Sequence, residues 1–322
     1  MMDSVTDHGG LEPGLVRAGK VLLRLGLTSG APEIVGLSEA RRYTDALGDF
    51  LSEAQAPIGG EEEIELPGPH GPLCCRVFPA NPAAPALVYF HGGGFALGQA
   101  KGWDGLMRRV VRTAGVTAIN VDYRRSPEYR FPVAFEEAAF AISFVQSHAR
   151  EFSIDPLRIA AGGDSAGANL ALAAACALRD EGRPALALLF LFYGMYSLDM
   201  QSDSWQRLGN GTSGLSRQTM QWIWQNYLPD DHARDNWRAA PLSASLQGLP
   251  YTYLSIGTMD PLLDDNRRLE EKLSAANVQH NLRVWPGLNH GYVRLDELAP
   301  IATRALDDAL DTLRMVLRPD RK

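Results

Sequence analysis

The chain has 322 residues, 45% of them apolar, and a formal net charge of −7. That length holds one large α/β domain with an insertion, or two small domains, and the apolar fraction supports a full core. No Lys/Arg cluster accompanies the acidic balance, which argues against a nucleic-acid or anionic-membrane partner and reads as a solubilising surface.

The first residues, Met1 to Gly10, are polar and lack a basic segment followed by an apolar core, so no secretory leader is expected. Residues 12–54 read as helical. Ala40, Tyr43, Ala46, Leu47, Phe50, Leu51 and Ala54 recur at helical spacing, with Ser38 as the N-cap. Residues 55–72 are Pro/Gly-rich and acidic and read as a linker. Strands are then predicted at 73–78, 86–90, 116–121, 157–162, 186–193, 251–256 and 280–285. Helical patterns at 103–114, 132–149, 166–180, 263–276 and 299–317 lie among them. Continuous apolar runs such as Ala86-Leu87-Val88-Tyr89-Phe90 suit parallel strands buried on both faces, and the alternation implies an α/β fold with a mostly parallel sheet flanked by helices. Residues 194–245 interrupt the alternation and hold Trp205, Trp222, Trp224 and Trp237. This insertion and the N-terminal helices are expected to form a cap over the sheet's C-terminal edge, the tryptophans serving as the cap's own core. The division is therefore 1–55 and 194–245 as cap, and 56–193 and 246–322 as the α/β domain.

Cys74, Cys75 and Cys176 cannot make a disulfide framework and read as reduced core thiols, which points to a cytoplasmic location. No Cys/His cluster has zinc spacing and no His-Glu-x-x-His occurs, so no metal is expected.

The chemistry concentrates in a few stretches. Gly163-Asp164-Ser165-Ala166-Gly167 joins an apolar strand to an alanine-rich helix, the strand–turn–helix setting of a nucleophile elbow. A serine hydroxyl needs a base, and the base needs an orienting acid. Asp260 follows the strand Tyr251 to Ile256, just before Pro261, where it would also serve as an ordinary helix N-cap. Asp264 and Asp265 are rival acids, expected to face outward from the helix that follows. His290 lies in the loop Gly287-Leu288-Asn289-His290-Gly291, beyond the strand ending at Trp285. His8, His70, His148, His232 and His280 have no comparable placement. His91-Gly92-Gly93-Gly94-Phe95 directly follows the strand Leu87 to Phe90, where a glycine run can turn several N–H groups toward one oxyanion.

On these stretches, together with Asp260-Pro261-Leu262 and His290-Gly291, the chain resembles the hormone-sensitive-lipase-like (family IV) esterases of the α/β-hydrolase superfamily. Asp122-Tyr123-Arg124, Pro127-Glu128 and Phe131-Pro132 are similar to that family's Asp-Tyr-Arg-Leu-Ala-Pro-Glu stretch, with Arg125 and Ser126 in place of Leu-Ala. Ala168 stands where the family commonly has a glycine after the elbow. The resemblance spans roughly residues 70–317. It implies Ser165 as nucleophile, His290 as general base and then acid, and Asp260 as its orienter. It further implies an oxyanion hole from Gly92, Gly93 and Ala166, with His91, Gly94, Asp164 and Glu128 in support. The implied activity is hydrolysis of short- to medium-chain carboxylic esters without a cofactor. The same triad would serve an amidase or deacetylase, a lipase whose lid is the helix bearing Leu15, Val16, Val21, Leu22, Leu23 and Leu25, or, with catalysis lost, a binding protein on the same scaffold. The expected partner is a small-molecule ester. An edge strand at 280–285 would allow a homodimer.

Overall fold

One sheet of eight strands organises the chain: β1 (Glu62–Gly68), β2 (Gly71–Phe78), β3 (Ala84–Phe90), β4 (Thr117–Val121), β5 (Ile154–Asp164), β6 (Leu188–Phe192), β7 (Thr252–Gly257) and β8 (His280–Trp285). The order across it is β1-β2-β4-β3-β5-β6-β7-β8, parallel from β4 through β8, with β2 antiparallel to both β1 and β4. The computed structural model describes residues 10–28 and 30–318, so Met1 to residue 9, including His8, lie outside it. The central strands β3, β4, β6 and β7 are buried at every position, as their unbroken apolar runs require.

The segment 55–72 is not a plain linker. β1 pairs with β2 from Glu62↔Val77 to Gly68↔Gly71, closing a hairpin around Pro69-His70, with Gly71 at φ +105°. Glu62, Glu63 and Glu65 hide this strand from a hydrophobicity reading, because an edge strand carries charge on its solvent side.

Helices flank the sheet. After a 3-10 turn at Ala100–Trp103 come α4 (Asp104–Arg109) and a π-turn at Val110–Ala114, beside β4. α5 (Val133–Ser147) and α6 (Ala166–Asp180) pack on each other and on β3 and β5. α6 is buried from Ala166 to Leu178, and its alanines let it lie close to the strands. α9 (Leu263–Ala275) covers β7 and β8, and α10 (Pro300–Leu317) crosses β5, β6 and β7.

Over the C-terminal strand ends lie α1 (Pro13–Arg24), α2 (Pro32–Val35) and α3 (Leu37–Glu53), with α7 (Asp203–Leu208) and α8 (Arg217–Tyr227) from the insertion. α3 begins two residues earlier than expected. Gly36, at φ +84°, occupies the N-cap, so Ser38 falls inside the first turn and caps nothing. Thr219 Oγ1 donates to Glu33 Oε1 at 3.1 Å, joining the insertion to the N-terminal helices. Tyr227 stacks on Phe95 at 3.7 Å and its carbonyl accepts the Phe131 N–H, fixing α8 to the α/β domain. Trp205 and Trp224 are buried and Trp222 and Trp237 half-buried, all packed in one core shared with the sheet and not in a separate core of the insertion. On α1, Leu15, Ala18 and Leu22 face inward while Val16, Val21, Leu23 and Leu25 are exposed. Among the described residues no helix is long and apolar enough to cross a membrane.

Candidate active site

β5 ends at Asp164 and α6 starts at Ala166, leaving Ser165 alone at the turn with φ 54° and ψ −115°. An L-residue rarely adopts that backbone, and here the surroundings enforce it. The Ser165 N–H donates to the Phe192 carbonyl at 2.9 Å. A Cβ on Gly163 would sit 2.5 Å from the Phe90 oxygen, and one on Gly167 only 1.8 Å from it. Both glycines are therefore dictated by the backbone at the end of β3, which passes against the elbow.

Asp260 follows β7 and is fully buried. Its Oδ1 accepts the Leu262 N–H at 2.9 Å in the turn before α9, whose N-cap is Leu262 and not Asp260, and its Oδ2 accepts His290 Nδ1–H at 2.8 Å. With Nδ1 so engaged, His290 Nε2 is free to accept the Ser165 hydroxyl, 3.0 Å away. The structure thus brings Ser165, His290 and Asp260 together from the ends of β5, β8 and β7. Burial by itself depresses the His290 pKa. The Asp260 charge and hydrogen bond, with the charge of Asp164 behind them, outweigh it and raise the pKa above the ordinary imidazole value.

Asp264 and Asp265 do not face outward. Asp265 is 1% exposed and accepts the N–H groups of Tyr196 and Ser197, while Asp264 accepts that of Ser204. The insertion folds back over the first turn of α9, so these carboxylates anchor it instead of competing for His290. Of the other histidines, His70 meets Glu136 Oε2 and His148 bonds within its own helix turn, neither near Ser165.

The glycine loop differs from expectation at one donor. The Gly92 N–H is given to Asp164 Oδ1 at 2.9 Å and is not open to a substrate. A Cβ at Gly92 would lie 2.4 Å from the other Asp164 oxygen, so this glycine exists to let the carboxylate approach. Gly93 (φ +117°) and Gly94 (φ +60°) turn the next two amides. Among the described residues the N–H groups of Gly93, Gly94 and Ala166 have no acceptor in the protein. Gly94, expected only in support, thus holds a free donor where Gly92 does not.

Asp164 also accepts from Tyr89 OH at 3.0 Å and lies 3.4 Å from Tyr193 OH. His91 donates from Nδ1 to the Gly92 carbonyl at 2.7 Å and stacks on Tyr123, whose hydroxyl donates to the His91 carbonyl. Burial holds the His91 pKa well below the usual imidazole range, so its ring is neutral. Glu128 is half exposed and works through Arg41 of α3. That guanidinium grips both Glu128 oxygens at 2.7 Å and donates to the carbonyls of Ala96 and Ser126. The unusual pair Arg125-Ser126 braces the same loop, through Arg125 to the Gly98 carbonyl and Ser126 to the Phe95 carbonyl. Nothing in the sequence marks Arg41, Tyr89 or Tyr193 for these roles: Arg41 and Tyr193 lie outside the motifs, and Tyr89 reads as one more core residue of the apolar run in β3.

Ser165 and His290 open onto a cavity of about 350 Å³ with a mostly apolar wall, including Leu22, Leu47, Leu51, Leu215, Met220 and Ile223 from the cap. A larger hollow of about 480 Å³ lies between α5, α6 and Asn236 to Arg238 and contains none of these polar groups. Among the described residues no cluster of His, Cys, Asp or Glu has the makings of a metal site.

Residues 87–294 match the family model described as alpha/beta hydrolase fold. An acetyl esterase of Salmonella choleraesuis (strain SC-B67) is 34% identical over 259 residues, covering 79% of this chain and 80% of that protein. A thermophilic carboxylesterase cloned from a metagenomic library superposes with a TM-score of 0.85 at 32% identity, over 88% of this chain and 98% of its own. A hyperthermophilic esterase from Pyrobaculum calidifontis gives a TM-score of 0.86 at 28% identity, over 95% of this chain and 98% of its own.

Proposed function

The chain belongs to the α/β-hydrolase fold family, in its hormone-sensitive-lipase-like esterase branch, and from that premise we propose that it is a carboxylesterase acting on short- to medium-chain esters through an acyl-enzyme on Ser165. The observation that carries this is the continuous relay from Ser165 Oγ to His290 Nε2 at 3.0 Å and from His290 Nδ1 to Asp260 Oδ2 at 2.8 Å. Ser165 Oγ attacks the ester carbonyl as His290 takes its proton. The oxyanion is received by the N–H groups of Gly93, Gly94 and Ala166, the last at the N-terminus of α6. His290 then protonates the leaving alcohol, activates a water on the acyl-enzyme and returns the proton to Ser165.

The cavity of about 350 Å³ beneath Leu22, Leu47 and Leu51 suits an acyl chain of a few carbons better than a long one. We read 1–55 and 194–245 as the two halves of one cap. Free Cys74, Cys75 and Cys176 favour a cytoplasmic setting, and the free edge of β8 favours a symmetric dimer, which sedimentation would detect. The test of the activity is kcat/KM on p-nitrophenyl esters from acetate to palmitate, with Ser165→Ala alongside. A maximum at short to medium chains that vanishes in the variant is expected. A maximum at palmitate would favour a lipase, and folded protein without any ester turnover would favour an amidase or a binding role.

A further inference from the structure

Resting on the carboxylesterase reading, we infer that Arg294 selects for an ester carrying a carboxylate on its acyl or alkoxy part, making the enzyme specific for anionic esters.

Arg294 follows the His290 loop and lines the same cavity as Ser165 and His290. Its guanidinium lies over the Trp103 ring at 3.8 Å, and Nη2 donates to the Gly102 carbonyl at 3.0 Å. Those contacts use one of five N–H donors. Nε is shut off from solvent with no acceptor, and among the described residues no carboxylate forms an ion pair with Arg294. The carboxylates that act on it, Asp164 and Asp45, do so only through space. Asp164 is already held by Tyr89 and Gly92. Other arginines of low exposure are matched: buried Arg108 sits on Glu61, and half-buried Arg124 on Glu137.

A half-buried cation without a counter-charge is costly, and the cost falls when an anion arrives. Arg294 also borders a cleft with Ser52, Gln55 and Asp296 that holds only about 10 Å³, so the approach with room for an ester is the Ser165 cavity. Leu51, Leu97 and Trp103 line this cavity together with Arg294, so a substrate would have an apolar stem and an anionic end. Trp103 keeps the guanidinium plane fixed, as a two-pronged carboxylate contact requires.

The experiment compares kcat/KM for two matched pairs: the mono-p-nitrophenyl ester of glutarate against p-nitrophenyl valerate, and the acetate ester of a hydroxy acid against that of the corresponding alcohol. In one pair the anionic-to-neutral ratio should fall by about tenfold or more in Arg294→Met, with Arg294→Lys between, since a charged hydrogen bond is lost. Whichever pair responds identifies the half of the ester that meets Arg294. In parallel, glutarate should raise the melting temperature of the wild-type protein and not of Arg294→Met, a readout independent of turnover. Ratios equal to wild type in both pairs, or equal stabilisation by glutarate, would overturn the inference while leaving the esterase reading intact. Absence of all ester turnover would instead strike the esterase reading. Arg294→Lys covers the case in which the methionine variant does not fold.

Discussion

Gly92 gives its N–H to Asp164 Oδ1 at 2.9 Å, so the residue preceding the nucleophile clamps the loop that carries the oxyanion donors. The elbow and the glycine loop are therefore one mechanical unit. Asp164→Ala would release that amide and leave the buried Tyr89 hydroxyl without its acceptor. We expect kcat to fall by about tenfold or more with KM little changed, because the lost contacts position transition-state donors and not the bound ester. Asp164→Asn keeps an acceptor and should recover most of the rate. Steady-state kinetics on p-nitrophenyl acetate checks both.

The pH profile follows from His290. Its pKa is raised above the ordinary value, burial being outweighed by Asp260 and Asp164, and a general base acts only when neutral. A raised pKa keeps the ring protonated to higher pH, so the acid limb of kcat/KM should have its midpoint above about pH 6.5. Asp260→Asn removes the charge that lifts the pKa and mis-sets the tautomer. Its acid limb should move to lower pH, and kcat should drop by about 10³- to 10⁴-fold. An unmoved limb would mean that another group sets it.

Two glycines should respond differently to alanine. At Gly167 the new methyl meets the Phe90 carbonyl oxygen at 1.8 Å, and neither the helix that carries it nor the strand backbone it meets can yield. Gly167→Ala should give no folded protein. At Gly94 the methyl meets Cδ1 of Ile223 at 2.5 Å, a side chain of the cap that can rotate away. With a positive-φ cost of about 1–2 kcal/mol, Gly94→Ala should fold but lose activity as its amide shifts. Circular dichroism and esterase assays on the two variants separate the cases.

Much of this site is legible in the sequence because it is local. Strand, turn and helix around Ser165 are contiguous, and Asp260 and His290 each follow a strand directly. What is not legible depends on distant contacts. Which amide of His91 to Gly94 faces the substrate is decided by Asp164, over seventy positions away. Asp265 turns inward only because the insertion offers it two N–H groups. The edge strand β1 is masked by its glutamates, Arg41 reaches the site from a helix that carries no motif, and Arg294, although it closely follows His290, is marked only by the cavity it lines.

Arg41 joins α3 to the Ala96 and Ser126 carbonyls and to Glu128. Arg41→Met should lower the melting temperature by a few degrees and kcat severalfold, since the glycine loop loses its brace from the cap. Glu128→Gln, which leaves both carbonyl contacts in place, should do less. Thermal melts of the two variants give the order, and the reverse order would assign the brace to the ion pair alone.

The most direct test is rapid quenching of the enzyme during turnover of p-nitrophenyl acetate, followed by peptide mass analysis. One acetyl group should appear on the peptide containing Ser165, and accumulate when deacylation is slowed by acid. Steady turnover with no acyl group on that peptide, or turnover retained by Ser165→Ala, would contradict the acyl-enzyme mechanism.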